Sequence, residues 1–498
     1  LHMVDGETGQ EDWRYMPSDF WGQQQNIFTN AQGAHLYGLD LTPTIQIIDK
    51  NNDGLIRFTD DDKARAFLAS RRGGNNIYAL ELSDITANLV IPRFLWRIQG
   101  GTGDFARLGQ TWSKPKLIDI AINDGSTTQI KEVLVFGGGY DPVLDNRTIY
   151  FPDDNGGNDF MGNAIYIVDP DNGNKLLSIS GSGSGADIIV PDMGFSIPSE
   201  ITTVDSDADG VVDRLVVGDT GGQIWRVDLA PLEISLSDPE STTVVGKLAD
   251  ISGTAAAERR RFFEPASYLQ QNDSVFSNTP TYDYILIGTG YRPHPLDKDV
   301  EDRFYAIRDF QPNAGSINDT NDNNIADTTE GYPQASGEAF SNSDLINITT
   351  TPLDASLDSN RASAGWFFDF TQAGSTGRKV YSKPITAKGP SGEGSVTFTS
   401  FAPEASPSDP CGASVGNSKA HNFNVTSAGA AYDYNGDGSI NLSDRSVDLG
   451  AGIASGVVPL FTNEGVIGIV GVEGGSKNIG KIADLTSDRA YWLENVEF

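Results

Sequence analysis

The chain has 498 residues, and its 68 acidic and 35 basic side chains give a formal net charge of −33. So acidic a surface repels nucleic-acid phosphate and anionic bilayers and favours divalent cations as partners. The single cysteine, Cys411, excludes an internal disulfide and any multi-cysteine metal site. No apolar run is long enough to span a membrane. The first residues, LHMVD, lack the charged and apolar regions of a signal peptide, so we expect a fragment whose leader has been removed.

A loose unit recurs along the chain, in which an apolar and aromatic strand ends in a carboxylate and a Gly or Asn turn follows. Its copies are LHMVDGETG from Leu1, IYALELSD from Ile77, IYIVDPDNG from Ile165, IWRVDL from Ile224 and FYAIRDF from Phe304. Upstream lie strands that end in glycine, such as RLVVGDTGG, and strands opened by proline, such as KPITAKG. Glycine at strand ends and proline at strand starts are typical of antiparallel sheets. Three to four strands per unit predict an all-β chain, a modified β-propeller.

The repeats indicate one domain over residues 1–498, with six blades clearly visible and a seventh left open in the irregular stretch 330–380. The strands from Val457 to Val470 lack a following strand of the repeated kind and residues 1–16 supply one, so we expect the termini to close one blade. Polar, irregular stretches at 141–163, 236–279 and 310–365 are expected to be insertions, and 430–450 an EF-hand-like insertion. A pair of β-sandwiches is the alternative, because the unit is degenerate.

The strongest site signal is the sequence DSDADGVVD. Carboxylates at alternate positions before a glycine are what a loop needs to surround a hard cation with oxygen. Positions 1, 3 and 5 supply side-chain oxygens, position 7 a backbone carbonyl and position 9 another oxygen. The predicted calcium ligands are therefore Asp205, Asp207, Asp209, Val211 and Asp213, with Gly210 at the sharp turn.

Three further stretches follow the same scheme, with a solvated acidic turn as the alternative in each. The first offers Asp49, Asn51, Asp53, Leu55 and Asp60, but Arg57 at position 9 cannot bind a cation. The second resembles a dockerin or EF-hand loop and offers Asp433, Asn435, Asp437, Ser439 and Asp444, with Ile440 as the apolar anchor. The third offers Asp319, Asn321, Asn323, Ile325 and Asp327, with Asn324 where glycine is expected. Counting carboxylates ranks the Asp205 loop first and the Asp319 loop last.

Catalytic patterns are weak. The four histidines form no metal-type pair, and the chain contains neither HExxH nor GxSxG. The triplet Gly137–Gly139 leads into Tyr140-Asp141-Pro142 and not into a helix, so we interpret it as a strand-ending turn and not as a phosphate cradle. Cys411 has no base beside it and is interpreted as a buried or unpaired thiol. The sequence therefore indicates a protein that is not an enzyme, with Ca²⁺ as its cofactor.

Several of these motifs together resemble the PilY/PilC family of type IV pilus tip proteins, in its carboxy-terminal propeller domain. They are LGQTWSKP from Leu108, VFGGGYDP from Val135, FSIPSEITTVDSDADGVVDRLVVGDTGGQIWRVDL from Phe195, ILIGTGYRPHP from Ile285, DRFYAIRD from Asp302, GWFFDF from Gly365, SDPCG from Ser408 and the terminal Tyr491-Trp492. The similarity spans nearly the whole chain. It implies a modified seven-bladed propeller and places the family's calcium loop at Asp205, Asp207, Asp209, Val211 and Asp213.

The resemblance also implies a function. It predicts a role in pilus biogenesis, adhesion, surface sensing and twitching motility, at the pilus tip, cell surface or outer membrane of a Gram-negative bacterium. The implied partners are minor pilin components of the type IV pilus and a host or abiotic surface, met by a monomeric domain. The chain has no Arg-Gly-Asp tripeptide, so an integrin-binding mode is not expected, and the family's amino-terminal region has no counterpart in it.

Two other functions remain open at this point. A quinoprotein dehydrogenase propeller would bind pyrroloquinoline quinone and calcium, but the chain lacks adjacent cysteines and a regular tryptophan motif in every blade. A dockerin-like scaffold would use the Asp433 loop for interaction, but a second loop does not follow it in tandem. The loops at Asp49 and Asp433 rest on their spacing alone.

Overall fold

The structure is a computed structural model of the chain. It describes all residues except 30–34, 83–84, 87–88, 91, 124–126, 230–233, 236–241, 280, 313–332, 334–337, 390–391, 404–415, 464 and 485–498. The described residues form two compact units. Among the described residues, the first unit comprises those of 1–213 and 229–244, and the second comprises those of 214–228, 245–312 and 333–484.

Strands dominate both units. In chain order they are β1 (His2–Val4), β2 (Glu11–Arg14), β3 (Thr44–Ile48), β4 (Lys63–Ala69), β5 (Asn76–Glu81), β6 (Ile85–Thr86), β7 (Leu89–Val90), β8 (Arg93–Gln99), β9 (Lys116–Asn123), β10 (Thr128–Gly137), β11 (Ala164–Val168), β12 (Lys175–Ser180), β13 (Ile188–Ile189), β14 (Thr202–Val204), β15 (Arg214–Gly218) and β16 (Gln223–Leu229). They continue as β17 (Ile234–Ser235), β18 (Thr243–Asp250), β19 (Ser267–Asn272), β20 (Thr281–Gly288), β21 (Arg303–Asp309), β22 (Ile346–Asn347), β23 (Gly365–Asp369), β24 (Lys379–Val380), β25 (Ile385–Lys388), β26 (Gly394–Ala402), β27 (Asn417–Asn424), β28 (Ser446–Ala451), β29 (Val457–Thr462), β30 (Gly465–Val472) and β31 (Gly475–Ala483).

The helices are few and short. They are α1 (Gln24–Phe28) and α2 (Asp358–Arg361), together with 3-10 turns at Ser18–Gln23, Phe58–Asp60, Arg71–Gly73, Gly103–Phe105, Pro142–Asp145, Pro152–Asn155, Ala256–Glu258, Asn342–Asp344 and Leu442–Arg445. None of the described helices has the length and apolar character needed to cross a bilayer.

Among its described residues, the first unit contains two sheets of four or more strands. One has the order β3-β4-β5-β8, and the other has the order β13-β12-β11-β10-β9-β17. At the two edges of the second sheet, the two-residue strand β13 pairs in parallel with β12, and the two-residue strand β17 pairs in parallel with β9. Strand β11 and the second half of β10, residues 133–137, are wholly buried because their residues are apolar on both faces, whereas the largely polar first half of β10 is exposed or only partly buried. Their side chains join those of β4, β5 and β8 in one core that includes Phe67, Trp96, Phe136 and Tyr166.

The glycine triplet that follows Phe136 ends strand β10, as the sequence predicts. Gly139 has φ +89°, and a Cβ atom there would lie 2.0 Å from the carbonyl oxygen of Gln110. Its N–H donates to the carbonyl oxygen of Ile197 at 2.9 Å. The glycines therefore allow backbone segments to pass in contact, which leaves no room for a phosphate group.

The second unit contains four sheets of three or more strands among its described residues. Their orders are β15-β16-β18, β19-β20-β21-β23-β22, β24-β26-β27-β28 with β25 also paired to β26, and β29-β30-β31. A core cluster of this unit lies between the second and third of these sheets and includes Tyr284, Phe304, Trp366, Phe398 and Phe423. The number of blades, six visible in the sequence and seven preferred, remains a prediction.

Two expectations about individual segments differ from the structure. Residues 236–279 were expected to be an insertion, but they contain β18 and β19, and β19 pairs with β20 over six residues. The residues of β19, SYLQQN, alternate between buried and more exposed positions. Because two of them are glutamines, the sequence does not show the apolar alternation that predicts a strand. At the amino terminus, β1 pairs with β2, whereas β29, β30 and β31 form a separate sheet. The predicted strand pairing between residues 1–16 and Val457–Val470 is therefore wrong for the described strands.

The local hairpin explains the second difference. The turn between β1 and β2 is held by Asp5, whose Oδ1 accepts hydrogen bonds from the N–H groups of Glu7 at 3.1 Å and Thr8 at 2.6 Å. Such an Asx turn closes a hairpin over only a few residues, at a much smaller loop-closure cost than a pairing between the two ends of the chain.

Candidate metal centre

The Asp205 loop follows β14 and is fixed to the first unit by its own backbone. The N–H of Asp213 donates to the carbonyl oxygen of Val204 at 3.1 Å, and the carbonyl oxygen of Asp213 accepts the N–H of Leu229 at 2.9 Å. The N–H of Val212 donates to the carbonyl oxygen of Asp119 in β9 at 2.8 Å. The loop is therefore attached to three neighbouring strands before any ion is considered.

Inside this loop the carboxylates accept backbone N–H groups. Asp205 Oδ2 accepts from Gly210 at 2.8 Å, and Asp209 Oδ1 accepts from Val211 at 2.8 Å. Asp213 Oδ2 accepts from the N–H of Ser206 at 2.9 Å. Gly210 has φ +92°, a left-handed conformation that favours glycine, so the sequence requirement at position 6 has a direct structural reason.

The first three predicted ligands lie together. Oxygens of Asp205, Asp207 and Asp209 lie within 4.8 Å of one another, and Asp207 and Asp209 are exposed. At such a separation each pair of carboxylates repels by roughly 1 kcal/mol even in water. A divalent cation between them would convert this repulsion into attraction, and carboxylate and carbonyl oxygens are the ligands that calcium prefers.

The Asp433 loop, which lies before strand β28, repeats the hydrogen-bond pattern of the Asp205 loop. Asp433 Oδ2 accepts the N–H of Gly438 at 2.8 Å, and Asp437 Oδ1 accepts the N–H of Ser439 at 2.9 Å. Hydrogen bonds from Ser439, first its hydroxyl and then its N–H, lower the pKa of Asp437. At position 12 the fully buried Asp444 accepts the N–H of Tyr434 at 3.1 Å through Oδ1.

The Asp49 loop, which follows β3, has the same frame. Asp49 Oδ2 accepts the N–H of Gly54 at 2.8 Å, and Asp53 Oδ1 accepts the N–H of Leu55 at 2.8 Å. The carboxylate that accepts the N–H of position 2, Lys50, is Asp62, at 2.9 Å. Sequence spacing pointed instead to Asp60 as the last ligand of this loop.

Asp62 is the residue that sequence reasoning missed. Only 2% of it is exposed, and its Oδ2 also accepts the N–H of Arg57 at 2.8 Å. Asp444 likewise accepts the N–H of Asn441, which holds the same ninth position in its own loop, at 2.9 Å. The run Asp60-Asp61-Asp62 was the sequence signal for this carboxylate. Any one of three consecutive aspartates can turn toward the loop, so the position of the terminal carboxylate is not fixed by ligand spacing.

The three loops therefore share one scaffold. In each, the first carboxylate accepts the N–H of the sixth residue, the fifth accepts that of the seventh, and a terminal carboxylate accepts that of the second. In each, the fourth and sixth residues have positive φ, at Asn52 and Gly54, at Ala208 and Gly210, and at Gly436 and Gly438. The fourth candidate, with Asp319, Asn321, Asn323, Ile325 and Asp327, lies outside the described residues.

Comparison with known proteins shows which family part of this chain is similar to. Residues 23–264, which include the Asp49 and Asp205 loops, match the family model described as PilY1 beta-propeller domain. This part of the chain, just under half of its 498 residues, is similar to the PilY/PilC family. This confirms the relationship that the motifs from LGQTWSKP to IWRVDL indicated.

Two curated PilY1 proteins show how far the similarity extends. The type IV pilus biogenesis factor PilY1 of Pseudomonas aeruginosa strain PAO1 is 26% identical over 245 residues, which are 48% of this chain and 17% of that protein. The PilY1 protein of strain UCBPP-PA14 is 26% identical over 262 residues, 51% of this chain and 18% of that protein. The matched part is thus less than a fifth of either relative.

A solved structure shows the fold. The crystal structure of the Pseudomonas aeruginosa PilY1 C-terminal domain superposes with a TM-score of 0.58 and 17% identity, covering 96% of this chain and 90% of that chain. The prediction of an all-β propeller is confirmed by this likeness and by the PilY1 family match.

Proposed function

We propose that this chain is the calcium-binding propeller domain of a type IV pilus biogenesis and tip adhesin protein, and that it acts in pilus extension and retraction, surface attachment and twitching motility without catalysing a reaction. The family match supports the assignment to the pilus, because the PilY1 relatives are type IV pilus biogenesis factors. Its partners would be minor pilin components and a host or abiotic surface. It would act outside the cytoplasm, at the pilus tip or cell surface.

The single observation that supports calcium is the grouping of Asp205, Asp207 and Asp209 within 4.8 Å at the surface of the first unit. With the backbone carbonyl of Val211 and the carboxylate of Asp213, these side chains offer a calcium ion a set of oxygen ligands. Asp433, Asn435, Asp437, Ser439 and Asp444 offer a second set on the same scaffold. The Asp319 loop, with two carboxylates, would bind most weakly.

Backbone hydrogen bonds of the Asp205 loop would connect a bound calcium ion to the neighbouring strands. Val212 is bonded to Asp119 in β9, and Asp213 is bonded to Leu229 at the end of β16. An ion can shift a conformational equilibrium only by its difference in affinity for the two states. We therefore expect the state in which these bonds hold the loop closed to bind calcium more tightly and to favour pilus extension over retraction.

Titration calorimetry tests the proposal directly. The chain, its Asp207→Asn and Asp209→Ala variants and the exposed control Asp12→Asn are titrated with calcium after treatment with chelator. We expect the tightest binding phase to disappear in both loop variants and to remain in the control. The same substitutions are then placed in the full-length protein and pilus number and twitching are measured. Loss of calcium binding without a change in either property would refute the regulatory part of the proposal.

A further inference from the structure

We propose that the guanidinium of Arg57 is the resident cation of the Asp49 loop, so that this loop closes on an arginine where the other two close on calcium. The inference rests on the proposed calcium function of the Asp205 and Asp433 loops. It assigns to Arg57 the role of making the Asp49 loop independent of calcium, although that loop shares the hydrogen-bond pattern of the other two.

The side chain of Arg57 points back across its own loop. Its Nη1 atom lies 2.7 Å from Asp53 Oδ2 and 3.3 Å from Asp60 Oδ2. One nitrogen thus joins the fifth-position carboxylate to the predicted last ligand, which are two of the groups that a cation would have to join. The Nδ2 atom of Asn51 is also 3.4 Å from both carboxylates, so the third position turns its amide donor toward them.

The electrostatic effects agree with this geometry. The N–H of Leu55, followed by the charge and the hydrogen bond of Arg57, lowers the pKa of Asp53. Hydrogen bonds to Asp60 and Asp53 raise the pKa of Arg57 above its usual value, so the guanidinium stays charged. A calcium ion entering this loop would have to displace a cation already bonded to two of its ligands, which lowers its apparent affinity.

The three loops differ in the charge of the ninth residue, and only Arg57 is positively charged there. The ninth residue is Asp213 in the Asp205 loop and Asn441 in the Asp433 loop, and both supply oxygens. All three loops keep the same hydrogen bonds from the sixth residue to the first, at 2.8 Å in each case. All three loops therefore keep this part of the backbone frame, and the Asp49 loop is the one whose ninth side chain adds a cation to it.

Calcium stoichiometry, measured by equilibrium dialysis, tests the inference. The variants are Arg57→Gln, Arg57→Gln with Asp49→Asn, Asp207→Asn, and Arg14→Gln as an exposed arginine control. We expect Arg57→Gln to bind one more calcium ion than the parent chain, the double variant to return to the parent value, Asp207→Asn to lose one ion and the control to match the parent. An unchanged count in Arg57→Gln, together with a loss in Asp207→Asn, would overturn the role of Arg57 and leave the proposed function standing.

Amide hydrogen exchange supplies a readout that needs no bound ion. In excess chelator we expect exchange at Gly54 and Leu55 to be about tenfold faster in Arg57→Gln than in the parent chain, because the hydrogen bonds to Asp49 and Asp53 lose their counter-charge. Added calcium should restore protection in Arg57→Gln. Equal exchange in the two proteins would refute the inference even if no variant bound calcium, and absence of binding in every variant would refute the proposed function instead.

Discussion

Arg214 Nη1 lies 2.6 Å from Asp283 Oδ2, and 1% and 0% of these two side chains are exposed. The pair extends into a buried network of charges. Asp228 joins Arg214 to Arg226 through Oδ1, at 3.7 Å and 2.7 Å, and Arg226 Nη1 lies 2.7 Å from Asp309 Oδ2. Burial raises the pKa of Asp283 to about 6, against the opposing effect of Arg214. Three carboxylates thus share two guanidinium groups inside the second unit.

The network predicts a large effect from removing one arginine. Arg214→Met should lower the free energy of unfolding by about 3–5 kcal/mol, because Asp283 is left buried without its counter-ion. Restoring neutrality with Arg214→Met and Asp283→Leu together should recover part of this loss. Urea unfolding measures the effect, with Arg14→Met, whose side chain is 78% exposed, as the control expected to change stability by less than about 0.5 kcal/mol. Equal effects at the two arginines would contradict the prediction.

A buried histidine predicts sensitivity to acid. His421 is 3% exposed, its Nε2 is hydrogen-bonded to Ser400 Oγ at 2.8 Å, and its ring stacks on Phe398 with centroids 4.9 Å apart. Burial, together with the nearby charges of Arg378 and Lys419, lowers the pKa of His421 well below 6.5. The unfolded chain therefore binds a proton that the folded chain does not.

The sign of the effect follows from this difference. Stability from His421 is complete above pH 6.5 and falls by up to about 1.4 kcal/mol per pH unit as the pH drops below it. His421→Gln should remove this contribution to the slope, and His2→Gln, at an exposed position, should leave it unchanged. Denaturant midpoints measured from pH 7.5 to 5 provide the test, and identical slopes in His421→Gln and the parent chain would disprove the assignment.

Chelation should reveal how much the ion stabilises the fold. At a free calcium concentration of 100 times Kd, a site that exists only in the folded state adds about 2.7 kcal/mol. We expect EDTA to lower the melting temperature of the parent chain and to have a smaller effect on Asp209→Ala. The exposed variant Asp12→Asn is the control and should respond to EDTA like the parent. A melting temperature that does not depend on chelator in any of the three proteins would exclude a stabilising role for calcium.

Two glycines with similar backbone conformations should respond differently to alanine. Gly183 has φ +69° and open space around its Cβ position, whereas Gly139 has φ +89° and a backbone oxygen 2.0 Å from that position. Gly183→Ala should cost about 1–2 kcal/mol, the ordinary price of a left-handed alanine. Gly139→Ala should cost at least twice as much, because the backbone of Gln110 must move. Thermal unfolding of both variants measures the difference, and equal losses would show that the close approach is not rigid.

The sequence predicted the fold class and the grouping of Asp205, Asp207 and Asp209 in one loop, because both depend on local patterns. Glycine at the sixth position, carboxylates at alternate positions and the repeated strand ending in a carboxylate are readable without tertiary contacts. Strand β19 was not readable, since Gln270 and Gln271 look like loop residues until β20 pairs with them. Asp62 was missed for a similar reason. Its role depends on which of three consecutive acids turns inward, and tertiary packing decides that orientation.

The terminal carboxylates Asp62, Asp213 and Asp444 each bond the N–H of the second residue of their loop, and this bond has a kinetic consequence. If the Asp205 and Asp433 loops bind calcium as proposed, these hydrogen bonds would hold each loop near the shape that surrounds the ion. Capture of calcium would then require loss of water from the ion and little chain rearrangement, so little ordering entropy opposes it. Such a site would fill quickly, and its occupancy would follow rises in the calcium concentration around the protein.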